Sequence, residues 1–157
     1  MLQFFRRCFC FFSTKNDTIP LLKDTVPWTP PIKEGFVIKV YDADTITVAS
    51  KLPYNNSPIY RWSVRIKGID APELKSKNSK LAELALQGKE ELSENILGKK
   101  VFIKNIATEK YGRILADVFL NDINIGDWLI DQKYAYQYDG KTKLTESEQC
   151  DLLIYNI

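Results

Sequence analysis

The sequence predicts an α+β fold, a β-barrel of five strands carrying about three helices, and three observations predict it. Five short runs rich in β-branched residues alternate apolar and polar positions, as half-buried strands do. One longer stretch repeats its apolar residues at helical spacing instead, and it falls after the third run. Turn-forming residues separate the runs. Five short strands with a helix inserted after the third is the order of an OB-type barrel.

Residues 1–16 stand apart from that pattern. The first twelve hold five phenylalanines, Arg6, Arg7, Cys8 and Cys10, and no acid precedes Asp17. As a helix they would reach roughly 18 Å at about 1.5 Å per residue, short of the ~30 Å of a bilayer's hydrocarbon. The apolar run after the arginines is too short for a secretory signal and no small-residue cleavage site follows, so an intracellular protein is expected. One reading of this tail is a peripheral membrane anchor, with the aromatics at the interface, the arginines on anionic headgroups and Cys8 and Cys10 open to S-acylation. A disordered tail or an organelle-targeting peptide is the other. Leu2 stands where N-myristoylation requires glycine.

Residues 17–34 carry Pro20, Pro27, Pro30 and Pro31 and read as an extended arm. The domain proper is expected over 35–157. Phe36–Val40 and Thr45–Ala49 form two strands around an acidic break, Asp42-Ala43-Asp44. The breaker-rich residues 51–59 lead into a third strand over Tyr60–Ile69, where Val64 and Ile66 alternate with Arg65 and Lys67. Pro72 ends that strand and holds Ala71 extended, which fixes Asp70 and Glu73 at a stiff corner. Leu81, Ala85, Gly88, Leu92 and Ile96 then recur at spacings of 4, 3, 4 and 4, one apolar helical face with Ser79 as its N-cap and Gly98 as its stop. Val101, Ile103 and Asn105 give the inward face of a fourth strand, and Ile114–Leu120 a fifth. Ile125, Leu129 and Ile130 suit a second helix, and a short acidic third would close the chain with Leu152, Leu153 and Ile154 inward.

Composition narrows the chemistry. There is no histidine, which removes Ser-His-Asp and Cys-His nucleophiles and His-ligated metals. Three cysteines, at 8, 10 and 150, give neither a disulfide framework nor zinc spacing. The formal charge of +2 places +3 on residues 1–16 and so −1 on the remainder, which makes the domain no general polyanion binder. Catalysis would have to run on carboxylates, arginines, tyrosines, lysines or a hard metal ion.

Four pieces offer that chemistry: Asp42-x-Asp44-Thr45; Arg65 five residues before Asp70-x-Pro72-Glu73; Lys110-Tyr111-Gly112-Arg113; and Tyr134-Ala135-Tyr136-Gln137-Tyr138. In order and spacing they resemble the staphylococcal nuclease (thermonuclease-like) family over roughly Gly35–Lys143. The resemblance implies an OB barrel and calcium-dependent hydrolysis of DNA and RNA phosphodiesters; with no sequence-specific readout apparent, single or frayed strands are the expected substrates, and the protein is expected to be a monomer. The resemblance also implies Asp44, Asp70 and the Ala71 carbonyl as Ca2+ ligands, Arg65 and Arg113 on the scissile phosphate, and Glu73 as general base. Lys110 and Tyr111 would contact nucleotide, and Tyr136 or Tyr138 would stack on a base. Ala43 departs from the family's frequent glycine, at a cost of about 1 kcal/mol if that backbone needs positive φ. A non-catalytic nucleic-acid or peptide-binding module is the alternative, but binding alone has no need of both arginines and three acids.

Overall fold

The computed structural model describes residues 19–109 and 112–155. Cys8, Cys10, Lys110 and Tyr111 lie outside the described residues. Strands β1 (Glu34–Val40), β2 (Thr45–Lys51) and β3 (Ile59–Ile66) form an antiparallel meander. After the two-residue β4 (Ile69–Asp70) comes α1 (Ser79–Ile96), then β5 (Lys100–Thr108), β6 (Ile114–Leu120) and the short β7 (Ile123–Asn124). Helix α2 (Ile125–Asp131), β8 (Tyr136–Gln137) and α3 (Glu146–Cys150), continued by a π-turn over Asp151–Tyr155, complete the order. β5 pairs with both β1 and β6, and β6 returns to pair in parallel with β3 through Val64–Ile114 and Ile66–Ala116. That last pairing closes the five-stranded mixed barrel, consistent with the expected OB fold.

Alternation builds the core. Ile46 and Val48 of β2, Val64 and Ile66 of β3 and Ala116 and Val118 of β6 are inaccessible to solvent and meet inside, the main favourable contribution to folding. Irregularities in β1 and β5 curl the sheet where closure needs it. In β1 the register shifts between Val37 and Lys39, so the inward residues become Val37 and Val40. In β5 the shift falls between Lys104 and Ala107, where Asn105 takes a left-handed φ of 51° and is exposed. The inward face of that strand therefore stops at Ile103 rather than reaching Asn105. The expected third strand is also split, because Gly68 at φ 83° turns the chain between β3 and β4.

All five apolar positions expected on α1 are buried. Its N-cap is Asn78, not Ser79: the Asn78 Oδ1 accepts from the Lys80 and Leu81 amides at 3.0 and 3.4 Å, leaving Ser79 as the first helical residue. Gly88 is needed for proximity, since a Cβ there would stand 2.9 Å from Tyr134 Cβ. At the C-terminal end Leu153 is buried but Leu152 is exposed, because the π-turn changes the angular step that a continuous α-helix would have kept. Ala43 is not among the residues of positive φ, so its departure from glycine carries no backbone strain. Within the arm, Pro30 and Ile32 are buried and the Trp28 ring lies 6.2 Å from that of Trp62. Among the described residues, no helix is long and apolar enough to cross a membrane.

Candidate active site

Arg65 sits between two core residues, so strand alternation turns its side chain to the opposite face. There it is covered rather than solvated, with 9% of the residue exposed. The β2–β3 ladder extends past β2 through a 2.8 Å bond from the Ile66 amide to the Asp44 carbonyl, which sets Asp44 beside the guanidinium. Arg65 Nη1 meets Asp44 Oδ2 at 2.6 Å, and Nη2 meets Asp70 Oδ1 at 2.5 Å. The far oxygens of both acids are also held. Thr45 Oγ1 donates to Asp44 Oδ1 at 2.7 Å, and Tyr136, opposite Asp70 in the β4–β8 pair, donates its hydroxyl to Asp70 Oδ2 at 2.6 Å.

Burial pushes the Asp44 carboxyl up to about 6 against the pull of Arg65, with Asp42 adding to the rise. It is therefore still ionised at neutral pH, as the ion pair requires. Burial alone would lower the Arg65 pKa, but Asp44 and Asp70 outweigh it and hold the guanidinium charged. Tyr136 is pushed well up by burial and by the carboxylate it serves, so its hydroxyl remains a donor.

Above this buried layer is an open rim. Glu73 projects from the corner after Pro72, and Lys143 Nζ lies 3.3 Å from its Oε1 and 3.0 Å from Asp70 Oδ1. Burial would lower the lysine's pKa, and the two acids more than reverse that. Arg113 Nε pairs with Glu109 Oε2 at 2.6 Å. Asp42, Asp44, Arg65, Ala71, Glu73, Arg113 and Lys143 all line one cavity of about 210 Å³, together with Tyr41 and Pro72. Beside it a groove of about 620 Å³ shares Arg65 and is lined by Lys67, Gly68, Leu115, Tyr138 and Lys141.

The structure thus brings together every expected catalytic and metal-binding residue. It separates the two tyrosines. Tyr136 is 3% exposed with its hydroxyl on Asp70, because β8 faces it into the domain, so it offers no face for stacking. Tyr138 is partly exposed in the groove and keeps that role open. Sequence reasoning missed Glu109 and Lys143. Glu109 carried a readable sign, an acid four residues before Arg113. Lys143 carried none, since it meets Glu73 from 70 positions away.

The donors present suit a hard cation. They are all oxygens: two carboxylates drawn to one guanidinium, with Ala71 in the same cavity wall. Among the described residues no group of three or more His, Cys, Asp or Glu side chains is placed to hold a metal ion by itself. Such a cation would be held in an open site completed by water or phosphate.

The sequence itself has known relatives. The family model described as staphylococcal nuclease homologue matches residues 63–155, more than half of the chain. An uncharacterized protein of Methanocaldococcus jannaschii is 29% identical over 136 residues, covering 71% of this chain and 62% of the relative. A Candida glabrata protein named probable endonuclease LCL3 is 36% identical over 84 residues, 51% of this chain and 33% of the relative. The chain therefore spans less than two thirds of either relative.

Proposed function

The chain belongs to the staphylococcal nuclease homologues, and from that premise we propose that it is a calcium-dependent nuclease cutting DNA and RNA with little sequence preference. One observation carries the reading: Arg65 clamped between Asp44 and Asp70 in a cavity that Arg113 and Glu73 also line. When bound at Asp44, Asp70 and the Ala71 carbonyl, the ion supplies Lewis-acid polarisation of the phosphoryl oxygen.

The residues divide the remaining work. Arg65 has five N–H donors; Asp44 and Asp70 take two, and a longer contact to the Ile69 carbonyl at 3.4 Å takes a third. Nε–H and one Nη1–H remain for phosphate oxygens. The Arg113 ion pair uses Nε, leaving its two Nη groups for the same phosphate. Both guanidiniums stay charged through the reaction and offset the negative charge that develops on phosphorus-bound oxygens. Glu73, exposed at the rim, takes the proton of the attacking water. Tyr138, in the groove next to Arg65, stacks on a base, which favours unpaired strands and tolerates any sequence. The tail adds a location, an intracellular membrane surface reached by acylated Cys8 and Cys10. Serine at both positions would then release the protein from the membrane fraction, and unchanged partitioning would refute the acylation.

The decisive assay is hydrolysis of single-stranded DNA and of RNA by the full chain with calcium, with magnesium and with chelator. Arg113→Ala and the Arg65→Ala/Arg113→Ala pair run beside it, their folding checked by circular dichroism. Calcium-dependent cleavage lost in both variants is expected. A folded wild-type chain that cuts neither polymer would refute the nuclease and leave a binding module.

A further inference from the structure

Lys143 belongs to none of the roles above, yet its ammonium is the cation nearest the exposed acid of the site. Asp70 Oδ1 already serves Arg65 Nη2 and Oδ2 already serves Tyr136. With Lys143 also on Oδ1, three of the roughly four lone-pair directions of the Asp70 carboxylate are taken. The three partners are not equally held. Arg65 is anchored by two buried acids, and Tyr136 is buried within the β4–β8 pair. The Lys143 side chain is 48% exposed and sits in a stretch without regular structure between β8 and α3, with Gly140 in that stretch at φ 88°.

Both ends of this stretch are fastened independently of Lys143. The Tyr138 amide donates to the Gly68 carbonyl at 2.8 Å. Beyond Lys143, Glu146 Oε1 accepts from Ser76 Oγ at 2.5 Å and from the Lys77 amide at 3.2 Å, tying the start of α3 to the loop that follows Glu73. The ammonium can therefore leave the acids while the fold on either side stays attached.

We propose that Lys143 is the site's internal counter-ion: its ammonium holds Asp70 and Glu73 while no metal is bound, and a divalent cation takes its place, freeing the strap of residues 139–144. This rests on the metal site of the proposed nuclease. The metal-free site is then partly neutralised from within, and the strap beside the groove lined by Tyr138 and Lys141 loosens only once the ion has arrived.

Calcium affinity of the full chain, by titration calorimetry and by competition with terbium luminescence, tests the exchange. Lys143→Met is expected to bind calcium about three- to fivefold more tightly than wild type, the scale of one partly exposed ion pair. Lys143→Arg, which keeps the charge and grips carboxylates with a fork, should bind no more tightly than wild type. Lys75→Met, removing an exposed charge two residues from Glu73, should shift affinity less than twofold. Backbone amide exchange over residues 139–144 should quicken when calcium is added to wild type, and should already be fast in metal-free Lys143→Met. Equal or weaker binding by Lys143→Met, tighter binding by Lys143→Arg, or a Lys75→Met change as large as that of Lys143→Met overturns the exchange. If wild-type hydrolysis still requires calcium in that case, the nuclease stands and only the counter-ion falls. A wild-type chain that binds no calcium overturns both.

Discussion

Asp70 and Glu73 leave the same strand end three residues apart and live in different worlds. The Asp70 side chain is 1% exposed and receives Arg65, Tyr136 and Lys143; the Glu73 side chain is 74% exposed and meets only Lys143 among the described residues. The same division runs through the site, a buried layer of Asp44, Arg65, Asp70 and Tyr136 beneath a rim of Glu73, Arg113, Lys143 and Tyr138. In the buried layer a charge without its partner cannot turn to water, so geometry and stability are one property there. At the rim the two separate: a side chain can be changed for its chemistry with little effect on the fold.

That division can be broken by stability measurements. Arg65→Ala should have the largest effect, about 3–5 kcal/mol in urea unfolding, because it strands two buried carboxylates. A loss under 1 kcal/mol would mean that water already reaches them. Tyr136→Phe removes one donor from Asp70 and should cost about 1–3 kcal/mol, with the ring's packing kept. Acid should loosen α3 locally. The Thr145 amide and hydroxyl, both 2.7 Å from Glu148 Oε2, hold the Glu148 carboxyl below its ordinary value of 4.5. A depressed folded pKa gives a contribution complete above the ordinary value and lost as pH falls through the folded one, so the protection of α3 amides relative to their free exchange rate should fall below pH 4.5 while the barrel is still protected. Glu73→Gln should move stability least, within about 0.5 kcal/mol, while lowering turnover by about a hundredfold or more if it is the general base. Turnover within threefold of wild type would remove it from that role.

What could be read from the sequence was what short-range pattern encodes. The five positions of α1 all point inward because a helix with one apolar stripe has one way to bury it. Arg65, Asp70 and Glu73 were legible because they share one strand and its corner, and Asp44 because the acidic break lies at the hairpin's near end. Two kinds of feature escaped. Bulges and the π-turn shift the period by one residue, so Asn105 and Leu152 fell on the wrong face. Contacts made by distant chain segments leave no local trace, which hid Lys143 and reversed Tyr136. The family match itself starts at residue 63, leaving out β1, β2 and Asp44, which only the barrel's pairing restores to the site.

Closure in parallel, Val64 against Ile114, also sets an order of events during synthesis. The β1–β3 meander leaves the ribosome before its closing strand has been made, by roughly 50 residues or about 3–10 s at 5–20 residues per second. Over that interval β3 is a bare sheet edge, the kind that recruits other chains. Arg65 stands on that edge with its charge turned away from the core. A charge in that position is one of the devices by which an unpaired edge is kept from joining another chain.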